Sequence, residues 1–496
     1  MKGDGWLNVI VVMGLLMAES SYGRNICPTK IQPCTCTVKT KGLVINCENS
    51  NSDKIVPAMT ALKESHGVVI SYLTFRTNNM PRLPDHIFMG MDIRHLIISS
   101  TNLRVLEHGS LTALANKLNV LELISNLITN IPTAALSRLV TTRFLNLNHN
   151  NITVIPERSF EGMVQLQRLT LYANHITRID PNAFKGVEKE LVSLNLGANK
   201  LESVPIKAIS KLPNLSTLEL QENLIESITE SDFMGLSNLD SLKLGHNQIK
   251  ELGAYVFRSL PRMSSLDLES NRISRIDDRA FSGLEERLEW LKLGNNSIRT
   301  IPSNSLRGMH KLREFDVKSN NITEIKEDAF DSFGSTIKFL FLQNNRIDSL
   351  PMSVFSDMHS LETLSLSNNG IHHVPRDVFQ PIIETVQVID VHDNPLKCDC
   401  DLTWYKNWII KASQTSADKV HHILLKTKCW SEKDRHEYMV NKAPLERLYC
   451  PDKSTSGTGL RVQSISALIN GMLAGIGFIF SMNLLLEVGG KLSSNL

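Results

Sequence analysis

The stretch "SLDLESNRISRIDDRAFSGL", Ser265 to Leu284, decides how this chain folds. Leu266 and Leu268 are two residues apart, which is strand spacing, whereas Ile273 and Ile276 fall off any steady helical period. The stretch therefore predicts one short strand followed by irregular chain. Asn271 stands where a strand would continue apolar, and that polar residue is the informative one.

A search for self-similarity finds the same pattern fourteen times. The polar position falls at Asn78, Thr101, Asn126, Asn150, Asn174, Asn199, Asn223, Asn247, Asn271, Asn296, Asn320, Asn345, Asn369 and Asn394, spaced 23 to 25 residues apart. An apolar-x-apolar pair such as Leu145/Leu147 or Leu242/Leu244 precedes it. An Ile or Leu follows, then often Ile-Pro or Val-Pro, then a phenylalanine.

Over roughly Cys27 to Cys450 this pattern resembles the leucine-rich repeat family in its extracellular form of about 24 residues per repeat. Each coil is expected to give one short strand to a continuous parallel sheet, its leucines pointing into a core that only stacked neighbours can close. Where the chain turns off the strand, backbone groups lose their sheet partners. An asparagine amide carries both donors and an acceptor, and would satisfy them in the coil above and below.

The expected fold is thus an α/β-type leucine-rich repeat solenoid, capped by disulfides at both ends. A curved parallel sheet forms its concave face, and irregular or 3-10 segments its convex face. Fourteen strands would span an inner arc of roughly 60 Å. A second stripe, Phe160, Phe184, Phe233, Phe257, Phe281, Phe330, Phe355 and Phe379, with Ile209 and Leu306 in the gaps, reads as core of the outer wall rather than a ligand groove.

Residues 1–23 carry Lys2, an apolar run and then small residues, the layout of a secretory signal peptide. The organisation expected after it is an amino-terminal cysteine cap at 24–72, the solenoid at 73–394 and a carboxy-terminal cap at 395–451. A linker or anchor-attachment region at 452–464, a hydrophobic membrane segment at 465–486 and a short tail at 487–496 follow. Asn51 to His66 looks like a turn or two of amphipathic helix inside the first cap.

All eight cysteines lie outside the repeats, which in an exported chain argues for disulfides. Spacing alone leaves three connectivities in each group of four. The resemblance to flanking caps of extracellular repeat proteins implies Cys27 with Cys36, Cys34 with Cys47, Cys398 with Cys429 and Cys400 with Cys450. A zinc reading of Cys34-x-Cys36 or Cys398-x-Cys400 fits poorly, because structural zinc sites space paired cysteines by two to four residues. Trp404 and Trp408, at helical spacing, are expected to pack on the last coil.

Glycosylation acceptors of the Asn-x-Ser/Thr type stand at Asn151, Asn214, Asn295 and Asn321. Near the carboxyl end, small residues at Ser456 and Gly457, a polar spacer and the apolar run of 465–486 follow the order of a lipid-anchor signal. At 1.5 Å per residue that run, roughly 33 Å long, would also cross a bilayer. The lipid anchor is favoured over a single span, because basic residues lie mainly before the run. Either way little chain remains for an intracellular signalling domain.

Acidic and basic residues are interspersed and net charge is +2, so nucleic acid is not the expected partner. No nucleophile elbow, P-loop or dinucleotide fingerprint appears, and "HEYMV" at His436 lacks the second histidine of a metalloprotease. The pairs His372-His373 and His421-His422 read as solvated surface without a convergent carboxylate. No enzyme activity, cofactor, metal or small-molecule substrate is expected.

Surface remains as the working part. Tyr172, Trp290, Phe339 and Phe341 fall on outward strand positions, with Glu314 and Asp316 on the strand between Trp290 and the two phenylalanines, and form the expected partner-binding patch. In architecture the chain is similar to the chaoptin and connectin type of cell-surface adhesion proteins. That resemblance implies a membrane-tethered glycoprotein that recognises an extracellular or cell-surface protein, a second copy included, through its concave face. A matrix-organising or non-catalytic scaffold subunit of a secreted complex, and a ligand-binding co-receptor in immunity or development, are the alternatives.

Overall fold

A strand as short as Ser265–Asp267 holds its shape only if its neighbours supply matching strands in register. In the computed structural model, which describes residues 27–64, 68–415 and 417–445, they do. Ser265–Asp267 pairs in parallel with Ser241–Lys243 on one side and Trp290–Lys292 on the other, placing Leu242, Leu266 and Leu291 in one buried row. Each buried leucine side chain contributes about 1.5–3 kcal/mol, so this inward row is the main force that stacks the coils.

The sheet has sixteen strands among the described residues, two more than the repeats supply. The additional pair, Cys34–Lys39 and Gly42–Glu48, is an antiparallel hairpin of the amino-terminal cap, and its second strand pairs in parallel with Val69–Arg76. The helix of this cap, Ser52–Lys63, is longer than the expected turn or two. It buries Ile55, Ala58, Met59 and Leu62.

At the end of every coil strand the residue before the ladder position adopts a left-handed conformation, φ between +50° and +58°, and none of the fourteen is glycine. Such a backbone costs a non-glycine residue about 1–2 kcal/mol. Neighbouring coils hold it in place: the Ser270 N–H donates to Gly294 O (2.9 Å) on the following coil. The asparagine next to it works in the opposite direction. Asn271 Nδ2 donates to Leu268 O of its own coil and Leu244 O of the preceding coil, both at 3.0 Å, and its Oδ1 accepts the Ile249 N–H at 3.1 Å.

The amide was expected to serve the coils above and below, yet it reaches only its own coil and the preceding one. On the other side, the backbone bonds of the left-handed turn already make the connection. Thr101, the ladder position without an amide, fits because its backbone carbonyl accepts the Met80 N–H at 2.9 Å, and its hydroxyl donates to Asn126 Oδ1 at 2.9 Å.

The phenylalanine stripe is buried throughout, as expected, and its rings run along the convex wall at 6.0 Å (Phe160/Phe184), 5.8 Å (Phe233/Phe257) and 5.9 Å (Phe257/Phe281). The carboxy-terminal cap continues it. Trp404 packs 5.2 Å from Phe379 and donates its Nε1–H to Val374 O at 2.7 Å. Trp408 stacks on the buried Tyr405, whose hydroxyl donates to Ile389 O at 3.0 Å.

Disulfides Cys27–Cys36, Cys34–Cys47 and Cys398–Cys429 close the caps as the family resemblance implied. Cys450, and with it the Cys400–Cys450 pair, lies outside the described residues. So do the signal segment 1–23, the anchor residues Ser456 and Gly457, the hydrophobic segment 465–486 and the tail. No helix among the described residues is long and apolar enough to cross a membrane.

Candidate functional site

On each coil strand the middle residue points into the core and its two neighbours face outward, so a concave surface is assembled one row per coil. Strand register fixes which side chains meet. Trp290, Glu314 and Phe339 form one row across three coils, and Lys292, Asp316 and Phe341 form the row beside it. Trp290 is 37% exposed, and Glu314, Phe339 and Phe341 are half-buried.

Asp316 differs from its expected part in this patch. It is 4% exposed, and its carboxylate accepts the Lys318 N–H at 3.0 Å and the Lys318 Nζ at 2.8 Å. Covered in this way, it orients Lys318 rather than meeting solvent. Tyr172 is not brought to the cluster either. It lies five coils away from Trp290, about 24 Å at sheet spacing, and its hydroxyl donates to Glu222 Oε1 at 2.9 Å.

Small residues make room for these long reaches. A Cβ at Gly294 would stand 3.0 Å from Lys318 Cγ, and one at Gly197 only 2.7 Å from Gln221 Nε2 and 3.1 Å from Tyr172 Cδ2. Lys318 thus extends past Gly294 to Glu269, two coils back, at 2.9 Å, while Lys243 pairs with Glu219 at 2.8 Å. Burial draws the Lys318 ammonium down, but its hydrogen bonds to Asp316 and Glu269 leave it above the ordinary lysine range, and so charged. Sequence reasoning read Lys292 as an outward position but passed over Lys318, although both stand an even number of residues before their ladder asparagine. That even spacing marks an outward position.

The acceptors Asn151, Asn214 and Asn295 are exposed and Asn321 is half-buried. Asn295 sits in the left-handed turn after Trp290–Lys292, and Asn214 precedes the strand Thr217–Glu219, donating its Nδ2 to Lys189 O at 2.8 Å.

The histidine pairs come out differently from one another. His421 and His422 are exposed. His373, expected to lack a carboxylate, has Asp399 Oδ2 at 2.6 Å from its Nδ1, with Asp401 close by. The 26-residue separation of His373 and Asp399 hides this meeting in the sequence: it exists only because the cap folds back over the last coils.

The sequence matches the profile of the leucine rich repeat family over residues 92–152, 143–189, 189–249, 237–286, 286–339 and 335–396. Among solved structures the chain is similar to a leucine-rich repeat protein of Leptospira interrogans, at 23% identity and a TM-score of 0.57, over 70% of this chain and 83% of that one. It is similar as well to a chain of the Toll–Spatzle complex of Drosophila, at 18% identity and a TM-score of 0.59, over 74% of this chain and 54% of that one. A chain of the mouse RP105/MD-1 complex matches at 18% identity and a TM-score of 0.59, over 81% and 73% of the two chains. At these identities the likeness is one of fold.

Proposed function

Because the chain belongs to the leucine-rich repeat family, we propose that it is an exported recognition protein that binds another protein on its concave face. The proposal rests on the row Trp290, Glu314 and Phe339 with Phe341 beside it: three aromatic side chains, partly exposed, gathered among charges on two strand rows. Large aromatics surrounded by polar groups dominate binding energy at protein interfaces. Two of the similar structures are complexes of a pair of proteins, Toll with Spatzle and RP105 with MD-1, which supports a protein partner over a small molecule.

Three disulfides support an oxidising, extracellular setting. Within it the chain acts as a cell-surface glycoprotein of the adhesion type, non-enzymatic, and carries glycans at Asn151, Asn214, Asn295 and Asn321. It is held at the membrane through a lipid at Ser456 or Gly457, or through a span at 465–486. Its partner is an extracellular or cell-surface protein, which includes a second copy of itself.

Cells displaying the full chain test this. They should capture a protein from an extracellular fraction or aggregate with one another, and Trp290→Ala with Phe341→Ala should abolish capture without lowering surface display. Undiminished capture by the double variant would remove the concave patch from consideration. Release by a phosphatidylinositol-specific phospholipase separates the lipid from the span.

A further inference from the structure

We infer that His373, Asp399 and Asp401 form a binding site for one divalent transition-metal ion, zinc first among them, at the seam between the last coils and the carboxy-terminal cap. His373 follows Asn369 by four residues on the flank of its coil, and the two aspartates flank Cys400 where the chain enters the cap. One ligand atom from each residue lies within 4.8 Å of the other two, and the closest pair, His373 Nδ1 and Asp399 Oδ2, is 2.6 Å apart. Tetrahedral zinc, with bonds near 2.1 Å, holds its ligand atoms roughly 3.4 Å from one another. To reach that spacing, His373 Nδ1 and Asp399 Oδ2 must part by about 0.8 Å.

A second observation points to a cation. Asp399 Oδ1 is shut off from solvent and has no hydrogen-bond donor. A buried carboxylate oxygen without a donor is unfavourable, and a metal ion at this point compensates it. A cavity of about 460 Å³ opens beside His373 and Asp399, with Trp430 and Tyr438 on its walls, and leaves space for a water as fourth ligand. The ammonium of Lys397, a residue on the cavity wall, pairs with Glu432 at 3.1 Å. Cys398 is held in its disulfide with Cys429 and does not compete as a ligand.

The donor set selects the metal. One imidazole with two carboxylates suits zinc and its neighbours in the transition series, whereas calcium asks for six to eight oxygens. Bound there, the ion crosslinks the flank of the coil to the cap entry, beside the backbone bond from the Lys397 N–H to His372 O at 2.9 Å. Because the ligands converge only in the folded chain, binding stabilises the cap.

The purified full chain, stripped with EDTA and dialysed, is titrated with zinc chloride by calorimetry and with cobalt chloride by visible absorbance. One zinc per chain is expected, with tetrahedral cobalt bands that zinc displaces and a rise in Tm. Asp399→Asn, which keeps the shape of the side chain, and His373→Gln, at an exposed position, should each weaken zinc by more than tenfold. His421→Gln with His422→Gln should leave it unchanged. A stripped chain that takes up no zinc in large molar excess, or zinc binding unaltered in both Asp399→Asn and His373→Gln, overturns the site.

Discussion

Replacing Asn271 by alanine isolates what one rung of the amide ladder contributes. The substitution deletes the bonds donated to Leu244 O and Leu268 O and the one accepted from the Ile249 N–H. These losses are unequal. Leu244 O keeps the amide of Asn247, and Leu268 O keeps that of Asn296, so neither carbonyl is stripped. The Ile249 N–H, in a fully buried residue, is left alone. One orphaned buried donor costs about 1–3 kcal/mol, and each carbonyl that loses one of two donors adds about 0.5–1 kcal/mol, for about 2–5 kcal/mol in all.

Urea unfolding of the purified full chain, followed by tryptophan fluorescence, measures this against Ser270→Ala next door. Thr101→Asn is the reverse experiment. The Met80 N–H already donates to the Thr101 carbonyl, so a new amide there finds its donor taken and should bring no gain of comparable size. A loss below about 0.5 kcal/mol for Asn271→Ala, or an equal loss for Ser270→Ala, refutes the account of the ladder.

Phe257→Ala removes a ring lying between Phe233 and Phe281 and should destabilise by about 3–5 kcal/mol, read as a lowered urea midpoint. Opening the Cys398–Cys429 bridge with serines frees a 31-residue separation; loop entropy puts the loss at about 4 kcal/mol, measured by thermal melting. The raised Lys318 gives a signed pH effect: its stabilisation is full below the unfolded lysine pKa and fades as pH climbs through the higher folded value. Alkaline unfolding curves should therefore lose one component in Lys318→Met, and an unchanged curve would count against the Glu269–Lys318–Asp316 linkage.

What could be read from residues alone was whatever repeats. Leu266 and Asn271 announce their roles because the same environment recurs once per coil, and the convex phenylalanines follow for the same reason. What escaped depends on relations between coils or across the cap. Asp316 has an outward register but is buried, since Lys318 folds over it. The amide ladder runs in one direction because backbone bonds from the left-handed turn occupy the other side. The helix Ser52–Lys63 and the additional hairpin belong to a segment without a repeat to compare. His373 and Asp399 meet only through the path of the cap, which no local spacing encodes.

The one-way ladder gives the molecule a grain. Each newly made turn brings the amide that finishes the turn before it, so a polypeptide leaving the ribosome amino end first can zip up behind itself without waiting for what comes later. Truncation should share this asymmetry. Trimming turns from the carboxyl end leaves every surviving amide with its carbonyls, while trimming from the amino end strands the first one that remains. At the finishing edge no later amide arrives, and the Leu396 N–H turns back to Asn394 O while Leu396 O accepts the Trp430 N–H of the cap. The lid is thus the last tooth of the zip.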